Sequence, residues 1–255
     1  MRKLLLLVMI AVVVVSGMVA MHTPAAHAQG GALPLNEWVT GTLTADAFEV
    51  NYTISVAAGD IVLIEMYAAL GTYDLDPALE LSDSSGGLLD ENDDTVGLGA
   101  VIVFEAPAAG DYTILATRAL GVDGSSEGDY ILRASQITPL TPGSTVETII
   151  YADDALNYPS VSVLRPEADG TWAINVSQVP GTDLYANFVL QGGEDEFGFQ
   201  TTLFDLDSTA GLTSATLNVN LTGGTIYLLL IQKAFFSFGM DTTEVPVTVT
   251  VGEAQ

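Results

Sequence analysis

The stretch Tyr73 to Asp94, YDLDPALELSDSSGGLLDENDD, holds eight carboxylates around two short apolar runs. Asp74 and Asp76 lie two apart ahead of the first run, and Asp90, Glu91, Asn92, Asp93 and Asp94 follow the second as a loop. Hard oxygen donors at flexible spacing, without nitrogen or sulfur, suit calcium. Neighbouring carboxylates also repel one another until a cation or water relieves them. The competing reading is a pair of solvated turns, with Asp83 and Ser84 opening the Ser85-Gly86-Gly87 turn. The spacing is not that of an EF-hand. The candidate metal set is Asp74, Asp76, Asp90, Asn92, Asp93 and Asp94, and the cofactor it implies is calcium.

Other chemistry is narrowed by composition. The chain opens with Arg2 and Lys3, runs apolar from Leu4 to Met21 and reaches Ala26-His27-Ala28, the pattern of a secretory signal cleaved after Ala28. The alternative is a retained anchor, since about 18 apolar residues just span a bilayer. Cleavage removes both histidines, His22 and His27, and the chain has no cysteine, so Ser-His-Asp, Cys-His and His- or thiolate-ligated zinc chemistries are excluded from the mature protein. A Ser-Lys dyad would rest on Lys233, which reads as a strand-end lysine. No Asp-Thr-Gly triplet occurs. Glycosidase clefts need aromatic platforms, and Trp38 and Trp172 each sit beside a strand pattern, where core or edge packing is expected. The mature segment keeps 4 basic residues against 32 acids, a net charge of −28, which repels nucleic acid and anionic lipid and attracts cations and basic partners.

These groups must be positioned by strands. Runs such as FEVNYTISV (48 to 56), IVLIEMYA (61 to 68), AVIVFEA (100 to 106) and DYTILATRA (111 to 119) are short, rich in β-branched and aromatic residues, and bounded by Gly, Pro, Asp or Ser. The expected class is all-β, with two tandem antiparallel, jelly-roll-like β-sandwiches after the signal: 1–28 signal, 29–135 first sandwich, 136–144 a Pro/Gly linker, 145–255 second sandwich. The halves look duplicated. AAGDIVLIEM (57 to 66) aligns with ADGTWAINVS (168 to 177) at an offset of 111, and Tyr112 aligns with Tyr227. The second copy keeps only Asp205 and Asp207 of the acids, so one metal site is expected. Gly110-Asp111-Tyr112 and Gly128-Asp129-Tyr130 read as turn glycines with core aromatics, Arg118 and Arg133 as strand-end partners of the acidic loops, and Ala234 to Met240 as a core cap or a partner contact.

Leu75-Asp76-Pro77-Ala78-Leu79, Asn92-Asp93-Asp94, Gly110-Asp111-Tyr112 and Gly128-Asp129-Tyr130 occur in that order. With them, Asn36 to Ser135 resembles the bacterial pre-peptidase C-terminal (PPC) domain, the second half resembling it only through its likeness to the first. The resemblance implies a compact β-sandwich of the kind appended to secreted proteases and other exported enzymes for secretion or for substrate or surface binding; related collagenase domains bind collagen and calcium. No protease domain is read ahead of the sandwich. The expected function is therefore a secreted, extracellular, non-catalytic accessory protein that engages an extracellular protein, a polysaccharide or a cell surface, without nucleic acid and without membrane contact after cleavage. The alternative is a structural or secretion-assisting module for a separately encoded exported enzyme.

Overall fold

Residues 30–69, 74–95, 99–152, 157–178, 186–194, 200–207, 214–233 and 244–253 are described in the computed structural model. The expected signal and the Ala234 to Met240 run lie outside them. Alternation of apolar and polar residues makes strands wherever one face can be buried. In the first half these are β1 (Gly31–Ala32), β2 (Val39–Leu43), β3 (Val50–Val56), β4 (Ile61–Ala68), β5 (Pro77–Ser82), β6 (Leu88–Asn92), β7 (Ala100–Glu105), β8 (Gly110–Arg118) and β9 (Gly128–Ile137). The second half has β10 (Thr145–Ala152), β11 (Asn157–Tyr158), β12 (Ser160–Leu164), β13 (Gly170–Gln178), β14 (Ala186–Glu194), β15 (Gln200–Asp207), β16 (Ser214–Leu221), β17 (Tyr227–Lys233) and β18 (Glu244–Glu253). The helical element among the described residues is one 3₁₀ turn, Gly121–Asp123.

The protein is all-β, and its halves share one topology. Sheets ordered β3-β8-β5-β6 and β2-β9-β4-β7 recur as β12-β17-β14-β15 and β10-β18-β13-β16, with β1 and β11 added at edges. Tyr112 and Tyr227 occupy matching places: the Tyr112 hydroxyl donates to the Ala108 carbonyl at 2.8 Å, and the Thr222 amide donates to the Tyr227 hydroxyl at 2.8 Å. The offset read from the turn glycines needs a correction of one residue. Val62, Ile64 and Met66 face the first core and Trp172, Ile174 and Val176 the second, an offset of 110 (172 less 62). A slip of one would send each side chain to the opposite face, so burial outweighs glycine alignment. The expected linker also shortens, because β9 runs on through Gln136 and Ile137.

Each copy has its own core. In the first, Tyr52 and Tyr130 are fully buried with their hydroxyls 2.7 Å apart, and Gly41 lies opposite Tyr130 because a Cβ there would stand 2.3 Å from its ring. A third apolar cluster joins the copies. Leu63, Tyr67 and Val101, backed by Trp38, Val103, Ile131 and Ile137, project from the outer face of the β2-β9-β4-β7 sheet onto Val163, Leu228 and Leu230, backed by Val161 and Ile226, of β12 and β17. The linker follows the same contact, with the Leu140 amide donating to Val163 at 2.7 Å.

A buried ion pair sits on this seam. Glu65 is 1% exposed, and it accepts from Arg133 at 3.1 and 2.5 Å and from the Tyr67 hydroxyl at 3.2 Å. The Arg133 guanidinium stacks over Trp38 at 4.3 Å. Burial pushes the Glu65 carboxyl up, and the Arg133 charge and hydrogen bonds pull it back. Arg133 is thus a seam residue and not a partner of the acidic loops. A second pair, Arg165 to Glu105 at 2.7 Å, crosses between the copies in a more exposed position. Arg133→Ala leaves Glu65 buried and uncompensated, so urea denaturation should show a loss of about 3–5 kcal/mol, most of it restored by adding Glu65→Leu.

Candidate functional site

The β5–β6 ladder sets Leu79 opposite Asn92 and Leu81 opposite Asp90. The residues just before β5 and just after β6 therefore meet at one end of the first sandwich. This brings Asp76 together with Asp93 and Asp94, and places exposed Asp74 at the same end. Asp90 and Asn92 are not in a loop, as the sequence suggested, but in edge strand β6. Its LLDEN lacks the alternation that marks a strand, and the strand is held by pairing with β5.

Within the strand these two side chains already have partners. The Asp90 carboxylate accepts from the Glu91 amide at 2.8 Å. The Asn92 amide oxygen accepts from the Val101 amide at 3.0 Å and the Thr95 hydroxyl at 2.7 Å, tying β6 to β7. Asp76 differs, for its Oδ1 is buried and has no hydrogen-bond partner. Burial, then the charges of Asp94 and Asp93, push the Asp76 carboxyl up, and burial and Asp93 do the same to Asp94. Among the described residues no group of three or more His, Cys, Asp or Glu side chains is disposed to hold a metal ion.

Arg118 does not neutralise these acids. Arg118 is 4% exposed, and its guanidinium donates to the carbonyls of Gly121 at 2.9 Å and Ser126 at 3.2 Å and stacks over Phe48 at 4.7 Å. The loop it braces holds Asp76 by the backbone: the Ala119 amide and the Ser126 hydroxyl donate to the Asp76 carbonyl at 2.9 and 3.4 Å. Ser126 lies 50 positions from Asp76, and no local pattern reveals that contact. At the opposite end of β5, Asp83 collects the Ser85 amide and hydroxyl and the Gly87 amide at 2.7 to 2.9 Å, which lowers its carboxyl, the behaviour of a solvated turn.

The fold is that of an all-β sandwich protein, with the acids Asp76, Asp93 and Asp94 gathered at one end of its first copy. Residues 50–118 match the family described as the bacterial pre-peptidase C-terminal domain. The second copy lies outside that match. Among solved structures, the pre-peptidase C-terminal domain of a collagenase from Bacillus anthracis is 19% identical and aligns over 41% of this chain and 93% of its own, with a TM-score of 0.35. The N-terminal CBM22-1–CBM22-2 tandem of Paenibacillus barcinonensis Xyn10C is 11% identical over 84% of this chain and 82% of its own, with a TM-score of 0.24. A protein from Eubacterium rectale is 9% identical over 88% of this chain and 80% of its own, with a TM-score of 0.29. No curated protein matches the sequence.

Because the folded state holds the Asp76 proton more tightly than the unfolded chain, ionisation of Asp76 costs stability, and the cost grows as pH rises from the ordinary carboxylate range. Asp76→Asn should therefore raise the melting temperature at neutral pH in chelator, and this gain should vanish as pH falls below the ordinary aspartate value. Scanning calorimetry across pH reads both effects.

Proposed function

We propose that the protein is a secreted, non-catalytic binding module that engages an extracellular protein, a polysaccharide or a cell surface, with calcium stabilising the end of the first copy. The observation that carries the binding role is the PPC match over residues 50–118. Family members of this kind act as accessory domains of exported enzymes, and the mature segment lacks histidine and cysteine. Calcium is supported by the partnerless buried oxygen of Asp76 beside Asp93 and Asp94. An ion there satisfies that oxygen and removes the repulsion that raises Asp76 and Asp94. Asp74 is the exposed carboxylate best placed to complete the shell, while Asp90 and Asn92 act as braces through the bonds they already make.

A ligand bound only by the native state raises its stability, by about 2.7 kcal/mol at one hundred times its dissociation constant. The mature protein should melt higher in millimolar calcium than in chelator, with the increment lost in Asp76→Asn and in Asp94→Asn. Equal melting in both conditions removes calcium from the account. Sedimentation with insoluble polysaccharides and matrix proteins tests the binding role. Failure to bind any of them, with co-purification of an exported enzyme from culture supernatant, favours the structural or secretion-assisting alternative.

A further inference from the structure

The second copy has a concave feature at one end. Where the linker turn meets the start of β13 and the end of β18, an open groove of about 640 Å³ is lined by Pro142, Glu167, Asp169, Gly170, Trp172 and Glu253. That size falls within the range of small-ligand sites, about 300–1,000 Å³. The walls are fixed. The Gly143 amide donates to Val251 and the Val251 amide to Ser144, at 2.8 and 2.9 Å, while the Asp169 carboxylate accepts from the Gly223 amide at 2.9 Å. Glu253 is the direct ladder partner of Trp172.

The floor holds a donor that the fold does not use. Trp172 is 5% exposed, and its indole N–H has no hydrogen-bond partner among the described residues. The nitrogen lies beneath Gly170, 3.8 Å from where a Cβ on that residue would stand, so it is directed at the groove lining. The nitrogen is not among the buried side-chain atoms left without a partner, so its N–H is open to an acceptor that enters from the groove. In the first copy the equivalent inward position is Val62, which has no donor to satisfy.

We infer that this groove binds a neutral saccharide, with a sugar hydroxyl oxygen accepting from the Trp172 indole N–H while sugar hydroxyls donate to Glu167, Asp169 and Glu253. The donor set selects this class. An ammonium ligand has donors for the carboxylates but no lone pair for the indole. An anion has the lone pair but meets three carboxylates. A hydroxyl group both accepts and donates, and the carbon face of a sugar ring covers Pro142 and the indole edge. The inference deepens the binding-module reading by giving it a site and a ligand class, and it rests on that reading.

Titration calorimetry on the full mature chain tests it, with neutral hexasaccharides of β-1,4-glucose, β-1,4-xylose, β-1,4-N-acetylglucosamine and α-1,4-glucose, butylammonium, and a sulfated hexasaccharide. At least one neutral hexasaccharide should bind, and Trp172→Phe, which keeps an aromatic ring and removes the donor, should weaken it about tenfold. Gly170→Val guards against a folding artefact, because its Cβ makes only ordinary contacts with the indole. It covers the nitrogen and should abolish binding at unchanged melting temperature. Binding of butylammonium or the sulfated sugar without a neutral one overturns the inference, as does no binding by any probe. Saccharide binding that survives both variants also overturns this site, while leaving the binding-module reading intact.

Discussion

The arrangement of the protein depends on one apolar contact, that between the outer face of β4, β7 and β9 and the outer face of β12 and β17. A sandwich normally turns polar residues outward on both sheets. Here Leu63, Tyr67, Val101 and Ile131 meet Val163, Leu228 and Leu230 instead, and two sandwiches become four stacked sheets. The chain has no cysteine for a disulfide clamp, so this burial holds the copies together.

The contact is directional although the copies are duplicates. Where the first copy presents Leu63 and Tyr67, the second presents Ala173 and Ser177; where the second presents Val161 and Val163, the first presents Asn51 and Thr53. If both copies carried both apolar faces, they would stack head to tail without closing, the geometry of a fibre. The Glu65–Arg133 pair, ladder partners within the first copy, lies at the contact, and the Arg165–Glu105 pair crosses it.

Most of this was legible in the sequence, and the exceptions share a cause. The alternating runs became strands with nearly the expected limits, and β4 matches IVLIEMYA residue for residue. That run even announces the seam, because it is apolar on both faces with Glu65 the one charge, the pattern of a strand covered on both sides. What covers it lies about a hundred positions away, and periodicity carries no such information. The same holds for Arg118 and Arg133, whose strand-end positions suggested the acidic loops while their partners are loop carbonyls and Glu65. Edge strand β6 escaped because edges tolerate charge and need no alternation. The meeting of Asp76 with Asp93 and Asp94 was legible only in part: their spacing was visible, but the β5–β6 register decides which acids converge.

If the seam makes the two copies one body, they must unfold together. Scanning calorimetry of the mature chain tests this directly, since a two-state unit has equal calorimetric and van't Hoff enthalpies. The account predicts one transition with a ratio near one. Two resolved transitions, or a single peak whose calorimetric enthalpy is about twice the van't Hoff value, would show copies that unfold independently and would contradict it.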